Sequence, residues 1–327
     1  MLSRLAQSDL LRQLEQADSF VSGEQLSGRL GVSRTAVWKR IVALRAAGYG
    51  IEALPSRGYR LVRRPDRLAA EQIVAGLPPG GLVGQRVVCL DETGSTNVEA
   101  FRLAEGGAVE GTVVLADRQT AGKGRLGRRW ASPGGVNLYL SLVLRPTVPP
   151  YEAPQLTFLS AVAVARAIEV ETGLRPVIKW PNDLLLGRCK VAGLLNEMSA
   201  ETDRVNFVIL GIGVNVNMTR EQFPEDLRTP ATSLALELGR QVGRNRFAAT
   251  LLAALDGEYS RFRVDGFAPV RDDWSRYCNA FGRQVTVAVG RQTLQGPFAG
   301  IDHDGALLLR LPDGRLERIL SGDVSVV

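Results

Sequence analysis

Apolar positions recur at helical spacing through the first 45 residues, and beyond about residue 50 they fall mostly into strand-like runs. Leu2, Leu5, Leu11 and Leu14 form a stripe that predicts a first helix. Ser22-Gly23-Glu24-Gln25 reads as a capping box, with Ser22 at the N-cap and Gln25 reaching back to it. The helix it opens turns Leu26 and Leu30 inward and stops at Gly31. Ser33 caps a third helix on which Val37, Ile41 and Leu44 share a face, leaving Arg34, Thr35, Trp38 and Lys39 on the opposite one. After Gly48, the run from Ile51 to Val62 turns at Pro55-Ser56-Arg57-Gly58 and predicts a two-stranded wing with Arg57 at its tip. Helix order, turn and wing together predict a winged helix-turn-helix.

From about Leu68 the pattern alternates. Strands are expected at Arg86–Leu90, Thr112–Ala116, Asn137–Leu144, Pro176–Lys179, Lys190–Met198 and Asn206–Val216. Helices are expected at Asn97–Glu105, Leu156–Glu171 and Phe247–Phe262. From Tyr277 onward short strands (Val285–Val289, Gln295–Ile301, Ala306–Leu311) alternate with Asp/Gly turns, the pattern of a small all-β barrel with little chemistry of its own. The expected fold is therefore α+β and multidomain. A winged helix-turn-helix at 1–65 is followed, after the linker Arg63-Arg64-Pro65-Asp66-Arg67, by a central mixed-sheet domain at 68–275 and a barrel at 277–327.

Composition sharpens this division. The first 65 residues hold 11 Lys/Arg against 5 Asp/Glu, which accounts for the whole formal charge of +6; subtracting from the chain totals of 40 and 34 leaves 29 of each sign in the rest. A basic module on a neutral body points to a polyanion partner, and a helix-turn-helix presents the start of its second helix to base edges. Arg34, Thr35, Trp38, Lys39 and Arg57 are the DNA-contact candidates, against the plainer reading of a three-helix interaction domain with a solvated basic face. No apolar run approaches the roughly 20 residues that span a bilayer, and the first 30 residues hold no signal-peptide core, so a soluble cytoplasmic protein is expected. Cys89, Cys189 and Cys278 are far apart and form no C-x-x-C, which argues against a zinc knuckle or a disulfide frame. The single histidine, His303, sits in an Asp/Gly turn, which removes a Ser-His-Asp triad and a His-based metal site.

The chemistry concentrates in Gln119–Trp130, read Q-T-A-G-K-G-R-L-G-R-R-W. Glycine backbone N–H groups can line a concavity for anions, and Lys123, Arg125 and Arg128 add full charges suited to carboxylate or phosphate. No G-x-x-x-x-G-K-[ST] can be aligned, so this is not a Walker A loop. By itself it reads equally as a solvated basic hairpin tip or a nucleic-acid patch. Four further clusters accompany it: Asp91–Asn97 between a strand and a helix, Lys179-Trp180-Pro181-Asn182-Asp183 at a turn, Gly187–Gly193 leading into a strand with Lys190 near its start, and Gly211-Ile212-Gly213-Val214-Asn215 with glycines inside a strand. Each has an ordinary structural reading as a helix cap, a turn, a surface lysine or a weakened strand.

In this order the motifs resemble those of the bacterial bifunctional biotin protein ligases that also repress the biotin operon. The resemblance spans nearly the whole chain and rests on S-T-N at Ser95–Asn97, G-K-G-R-L-G-R-R-W at Gly122–Trp130, K-W-P-N-D at Lys179–Asp183, C-K-V-A-G at Cys189–Gly193 and G-I-G-V-N at Gly211–Asn215. It implies a biotin/lipoate-ligase catalytic core and an SH3-like C-terminal barrel. It also implies ATP-dependent formation of biotinyl-5′-adenylate, and transfer to a lysine of the biotin carboxyl carrier protein of acetyl-CoA carboxylase. Biotin contacts would come from Ser95, Thr96, Asn97, Gln119, Gly122, Lys123, Gly124, Arg125, Lys190 and Gly193, and nucleotide contacts from Arg125, Arg128, Trp130, Asn182, Asp183, Lys190 and Asn215. Lys190, Arg125 and Asp183 would carry the reaction, with Mg²⁺ arriving on ATP rather than on protein ligands. Operator DNA and a homodimer formed on adenylate binding are the other implied partners, with no membrane.

Two positions depart from the family pattern: Lys123 stands where arginine is common, and Trp38 where a small polar residue is expected. A biotin sensor without ligase activity, a lipoate-type ligase, and a ligase whose N-terminal domain no longer regulates are the competing readings.

Overall fold

A computed structural model describes residues 4–17, 19–46, 49–63, 66–227, 229–290 and 292–326. Leu2, Gly48, the Arg64-Pro65 part of the expected linker and Val327 lie outside the described residues. The chain divides into two compact units, residues 1–66 and 67–327.

The first unit holds α1 (Arg4–Glu15), α2 (Gly23–Leu30) and α3 (Arg34–Ala46), then the antiparallel pair β1 (Gly50–Leu54) and β2 (Gly58–Arg63). Its core gathers Leu10, Leu14, Val21, Leu26, Val37, Ile41, Leu44 and Ile51. The stripe expected on α1 is thereby corrected. Leu10 and Leu14, four apart, face the core, while Leu11 is only half-buried. The capping box forms as expected, Gln25 N–H donating to Ser22 Oγ and Ser22 N–H to Gln25 Oε1, both at 3.1 Å. Gly31 ends α2 in the left-handed conformation at φ 62°. Val21 and Tyr59 exchange backbone hydrogen bonds at 2.9 Å, tying the wing to the strand-like segment before α2.

The second unit begins with α4 (Ala70–Ala75), β3 (Arg86–Thr93), α5 (Thr96–Glu105), β4 (Thr112–Gln119), β5 (Leu138–Leu144) and α6 (Gln155–Thr172). It continues through β6 (Val177–Lys179), β7 (Asp183–Leu186), β8 (Cys189–Ala200), β9 (Val205–Val214), α7 (Leu234–Leu238), α8 (Arg244–Asp265) and α9 (Ala268–Tyr277). The sheet order is β3-β4-β5-β9-β8-β7-β6, with β3 and β4 parallel and the other neighbours antiparallel, a mixed sheet as expected. The short α4 and α7, and α9 with its buried Trp274, were not legible in the pattern.

Strand alternation sorts side chains to two faces. Leu138, Leu140, Leu142 and Leu144 of β5, with Leu210 and Ile212 of β9, belong to the main core with α6 and α8. The opposite face packs Val114, Val143, Phe207 and Ile209 against Ala100 and Ala104 of α5. Arg166 of α6 pairs with Glu258 of α8 and with Asp273 of α9, binding the helical layer together.

The chain closes with β10 (Gln284–Val289), β11 (Gln292–Ile301), β12 (Leu307–Arg310), β13 (Leu316–Ile319) and β14 (Asp323–Val326), an antiparallel sheet in the order β13-β12-β11-β10-β14. Trp180, buried before β7, donates its indole N–H to Gly305 O at 3.1 Å and so fastens this β-domain to the core. No helix among the described residues is long and apolar enough to cross a membrane.

Candidate active site

The α5-facing side of the sheet is covered only in part, and strand register determines what the uncovered part exposes. On β5 the alternation that sends Leu140 and Leu142 to the main core sends Tyr139 and Ser141 to the other side. Tyr139 pairs with Gly213 and Ser141 with Gly211 of β9, and these glycines in turn pair with Gly193 and Leu195 of β8. Three glycines therefore share one bare patch of sheet. A Cβ on Gly213 would stand 2.7 Å from Trp130 Cε2, one on Gly193 would stand 2.9 Å from Trp130 Cζ3, and one on Gly211 would overlap the Asn97 amide. The close approach that strand-interior glycines imply is thus made by the indole of Trp130 and by Asn97.

Over this floor opens a cleft of about 730 Å³. The basic loop closes one side as a tight hairpin. Trp130 N–H donates to Gly122 O at 2.9 Å, Gly124 N–H donates to Arg128 O at 2.7 Å, and a 3₁₀ turn spans Arg125–Gly127 at the tip. Leu126 there adopts φ 56° and is 77% exposed. Each loop cation has a partner: Lys123 Nζ lies 3.5 Å from Glu197, Arg125 donates to Asn182 Oδ1 at 3.0 Å, Arg128 pairs with Asp323, and Arg129 donates to Thr120 O at 3.4 Å. Burial pushes the Arg125 guanidinium below its ordinary value, opposed by the nearby Asp323 and Asp183 carboxylates. The Arg128 hydrogen bond holds the Asp323 carboxyl below the usual range.

Asp323 corrects the expectation that the C-terminal β-domain brings little chemistry, because it sits on β14 and lines this cleft. The Lys179–Asp183 segment forms the β6–β7 turn, with a cis Trp180–Pro181 bond, and aims Asp183 at Lys190, whose Nζ lies 2.6 Å from Asp183 Oδ1. The same ammonium stands 5.2 Å from the centroid of the Trp130 ring.

At the other end of the cleft, Ser95 is the N-cap of α5 without a side-chain capping bond, so the hydroxyls at Ser95 and Thr96 are not spent on capping the helix. Gln119 Oε1 accepts from Thr96 N at 2.8 Å, and its Nε2 donates to Ser132 Oγ at 2.9 Å. Ser141 Oγ lies 2.8 Å from Thr96 Oγ1 and 2.6 Å from Asn97 Oδ1. Asn215 is buried, donating to Thr232 O at 3.0 Å and receiving Asn137 Nδ2 at 3.4 Å. Asn137 in turn is held through its carbonyl by the fully buried Arg244, at 3.0 Å, whose other arm reaches Asp117 at 2.8 Å.

All the expected site residues of the body line this one cleft: Ser95, Thr96, Asn97 and Gln119 at one end, Gly122–Arg125, Arg128 and Trp130 along the loop, and Asn182, Asp183, Lys190, Gly193 and Asn215 opposite. Lys190 and Arg125 do not point into separate clefts. Ser141, Glu197, Asn137, Arg244 and Asp323 were not among the expected residues. A serine inside the apolar run Leu138–Leu144 was the one local signal available. In the first unit Arg34, Thr35, Trp38 and Lys39 are all exposed on α3, and Arg57 is exposed at the wing turn, 5.3 Å over the Phe20 ring. Among the described residues, the cluster with metal-ligand spacing is Asp302-His303-Asp304, far from this chemistry in sequence and already paired with Arg318. The cleft itself offers cations, amides and hydroxyls, a donor set suited to an anion that brings its own counter-ion.

Comparison with known proteins agrees with this arrangement. The Biotin/lipoate A/B protein ligase family matches residues 90–215, an HTH domain matches 6–60 and a Biotin protein ligase C terminal domain matches 280–327. The Bifunctional ligase/repressor BirA of Bacillus subtilis is 41% identical, over 97% of this chain and 98% of that protein. The protein of the same name from Escherichia coli is 34% identical, over 94% of this chain and 93% of that one. A solved biotin protein ligase from Aquifex aeolicus, in complex with biotin and ATP, superposes with a TM-score of 0.64 at 31% identity, covering 74% of this chain and 99% of that chain.

Proposed function

The chain belongs to the biotin protein ligases, in their bifunctional ligase/repressor form, and from that membership we propose how its residues divide the work. The enzyme activates biotin with ATP and transfers the biotinyl group to a lysine of biotin carboxyl carrier protein. A biotin carboxylate oxygen attacks the α-phosphorus and pyrophosphate leaves; the acceptor amine then attacks the acyl carbon and AMP leaves. No enzyme nucleophile is required, so catalysis is the positioning of two anions and the neutralising of charge as it develops.

Lys190 lies between Asp183 and the Trp130 face, where its ammonium bridges the biotin carboxyl and the α-phosphate. Arg125 and Lys123 close over biotin and the phosphates, with Arg128 on the nucleotide side, held in place by Asp323 until phosphate competes for it. Ser95, Thr96 and Gln119 take the polar ring system of biotin, while Trp130, Asn182 and Asn215 form the nucleotide side. Asp183 orients the acceptor amine or takes the proton that the amine loses as the amide forms. Mg²⁺ rides on the phosphates of ATP, as hard-cation chemistry with few protein ligands allows. The observation that carries this reading is the convergence of Lys190, Arg125 and the bare glycine floor on one cleft. Transfer of labelled biotin to a carrier domain, dependent on ATP and not competed by lipoate, tests it. Label transfer that lipoate abolishes would move the assignment to the lipoate ligases.

The first unit, through the exposed Arg34, Thr35, Trp38, Lys39 and Arg57, binds operator DNA as a repressor in the cytoplasm. Bound adenylate orders the basic loop, the loop forms part of a two-fold interface, and the homodimer sets two recognition helices on a palindromic site. Sedimentation with and without adenylate tests this coupling, which an unchanged monomer–dimer constant would remove. Three modules follow from the same reading: DNA binding at 1–65, catalysis at 68–275 and the SH3-like β-domain at 277–327.

A further inference from the structure

Glu197 stands one step outside the cleft lining, yet it touches both of the parts that must be brought together. It follows Leu195 on β8 with the same facing, opposite Ile209 of β9, and so projects to the cleft side of the sheet. One carboxylate oxygen, Oε2, accepts from Asn97 Nδ2 at 2.7 Å. The other, Oε1, lies 3.5 Å from Lys123 Nζ on the basic loop. We propose that Glu197 is a positioning residue for biotin: it fixes the Asn97 amide at the floor and Lys123 above it, setting floor and loop in one register.

Asn97 is held on every side. Ser141 Oγ donates to its Oδ1 at 2.6 Å, its Nδ2 also donates to Leu195 O at 3.2 Å, and Gly211 leaves the space that its amide fills. Asn97 therefore has no donor left for a ligand, and both of its amide protons are committed. Its contribution is to hold Ser141, and through Ser141 the Thr96 hydroxyl, which lies 2.8 Å from Ser141 Oγ. Without Glu197 one amide proton of a buried Asn97 loses its acceptor, and the amide can rotate. On the loop side, Glu197 offsets the charge of Lys123, as Asp323 offsets that of Arg128, and so lessens the repulsion among the loop cations. An exposed pair of this kind is individually weak, so the floor contact is the larger of the two effects.

The inference rests on the cleft taking biotin, and two variants separate its halves. Glu197→Gln keeps an oxygen for Asn97 but removes the charge facing Lys123, whereas Glu197→Ala removes both. In the ligand-free protein, tryptic cleavage after Arg125 should quicken roughly two- to five-fold in both variants, as loss of one exposed ion pair predicts. The KM for biotin should rise by about the same factor in Glu197→Gln and roughly ten-fold or more in Glu197→Ala, where an amide proton is stranded. The kcat should stay within about two-fold, and the KM for ATP should rise no more than the loop contact alone allows, roughly two- to five-fold and equally in both variants, a split that distinguishes positioning from general loss of structure.

Cleavage and biotin KM matching wild type in Glu197→Ala would overturn the proposal. So would biotin KM, ATP KM and kcat failing together in both variants, which is what a merely structural carboxylate gives. Wild-type protein that binds no biotin in equilibrium dialysis would remove the proposal together with the ligase reading. Normal wild-type binding with unresponsive variants would remove Glu197 alone.

Discussion

Replacing Gly213 with alanine adds one carbon where the cleft has no room for it. The backbone there tolerates a side chain, so the cost is set by contact alone. A Cβ at this position would meet Trp130 Cε2 at 2.7 Å, Nε1 at 2.8 Å and Cζ2 at 2.9 Å, against ordinary contacts from 3.4 Å, so the ring must retreat by about 0.7 Å. It cannot retreat alone. Trp130 N–H is bonded to Gly122 O at 2.9 Å and its carbonyl receives Ser132 Oγ at 3.0 Å, so the shift passes into the basic loop. Overpacking of this kind costs roughly 1–3 kcal/mol. If the loop pays it on closing over nucleotide, the KM for ATP rises roughly five- to 150-fold.

Gly193→Ala is the internal comparison. Besides Trp130 Cζ3 at 2.9 Å, its new carbon meets the Lys190 Cε and Nζ at 3.0 and 3.1 Å, so it should also lower kcat by displacing Lys190 from Asp183, an effect Gly213→Ala should not show. Pyrophosphate release at varied ATP, read beside the thermal midpoint, decides the matter. A Gly213→Ala enzyme with wild-type KM for ATP and an unchanged midpoint would refute the steric reasoning.

Other outcomes follow from the same structure. Lys190→Ala should slow adenylation roughly a hundred- to a thousand-fold, the usual effect of removing one preorganised charge donor, with the DNA-binding unit still folded by circular dichroism. Near-normal pyrophosphate release would refute it. Removing residues 1–66 should abolish retardation of operator DNA while label transfer from biotin persists, and retained retardation would refute the assignment of DNA binding to the first unit. Burial pushes the thiols of Cys89 and Cys278 up to about 11. Both should therefore react with a disulfide reagent at pH 8 roughly 100-fold more slowly in the folded protein than in urea. Because unfolded thiols lose their protons near ~8.5, their contribution to stability is whole below that pH and declines as pH rises toward the folded value. Urea midpoints at both ends of that range measure the decline, and equal reactivity folded and unfolded would contradict it. Gly257→Ala, on the exposed side of α8 with nothing within 4 Å of the added carbon, should stabilise by about 0.5–1 kcal/mol, read as a raised urea midpoint.

Primary structure alone determined whatever depends on neighbours in the chain. The Ser22–Gln25 capping box, the Val37-Ile41-Leu44 face of α3, the segregation of charge into the first unit and the glycine-basic hairpin are local patterns, and the motifs that carry the family resemblance are local as well. Periodicity and capping act within a few residues, so they survive without knowledge of the fold. Even here Leu10 rather than Leu11 reached the core, since the choice between adjacent apolar positions is made by the helices packed against them.

Tertiary structure decided the rest because strand register is a long-range property. Only the pairing of β5 with β9 sets Ser141 opposite Gly211, and only that of β9 with β8 brings Gly213 beside Gly193, turning scattered glycines into one floor for Trp130 and Asn97. Arg244 reads as an ordinary surface cation until its fully buried guanidinium is found supporting Asn137. Asp323, near the far end of the chain, joins the cleft through its pairing with Arg128. Glu197 and Lys123 are 74 positions apart and meet because β8 and the basic loop fold over the same face. A one-residue slip in either ladder would turn Ser141 or Glu197 to the opposite side of the sheet, so even a serine that stands out in an apolar run could not show which face it would meet.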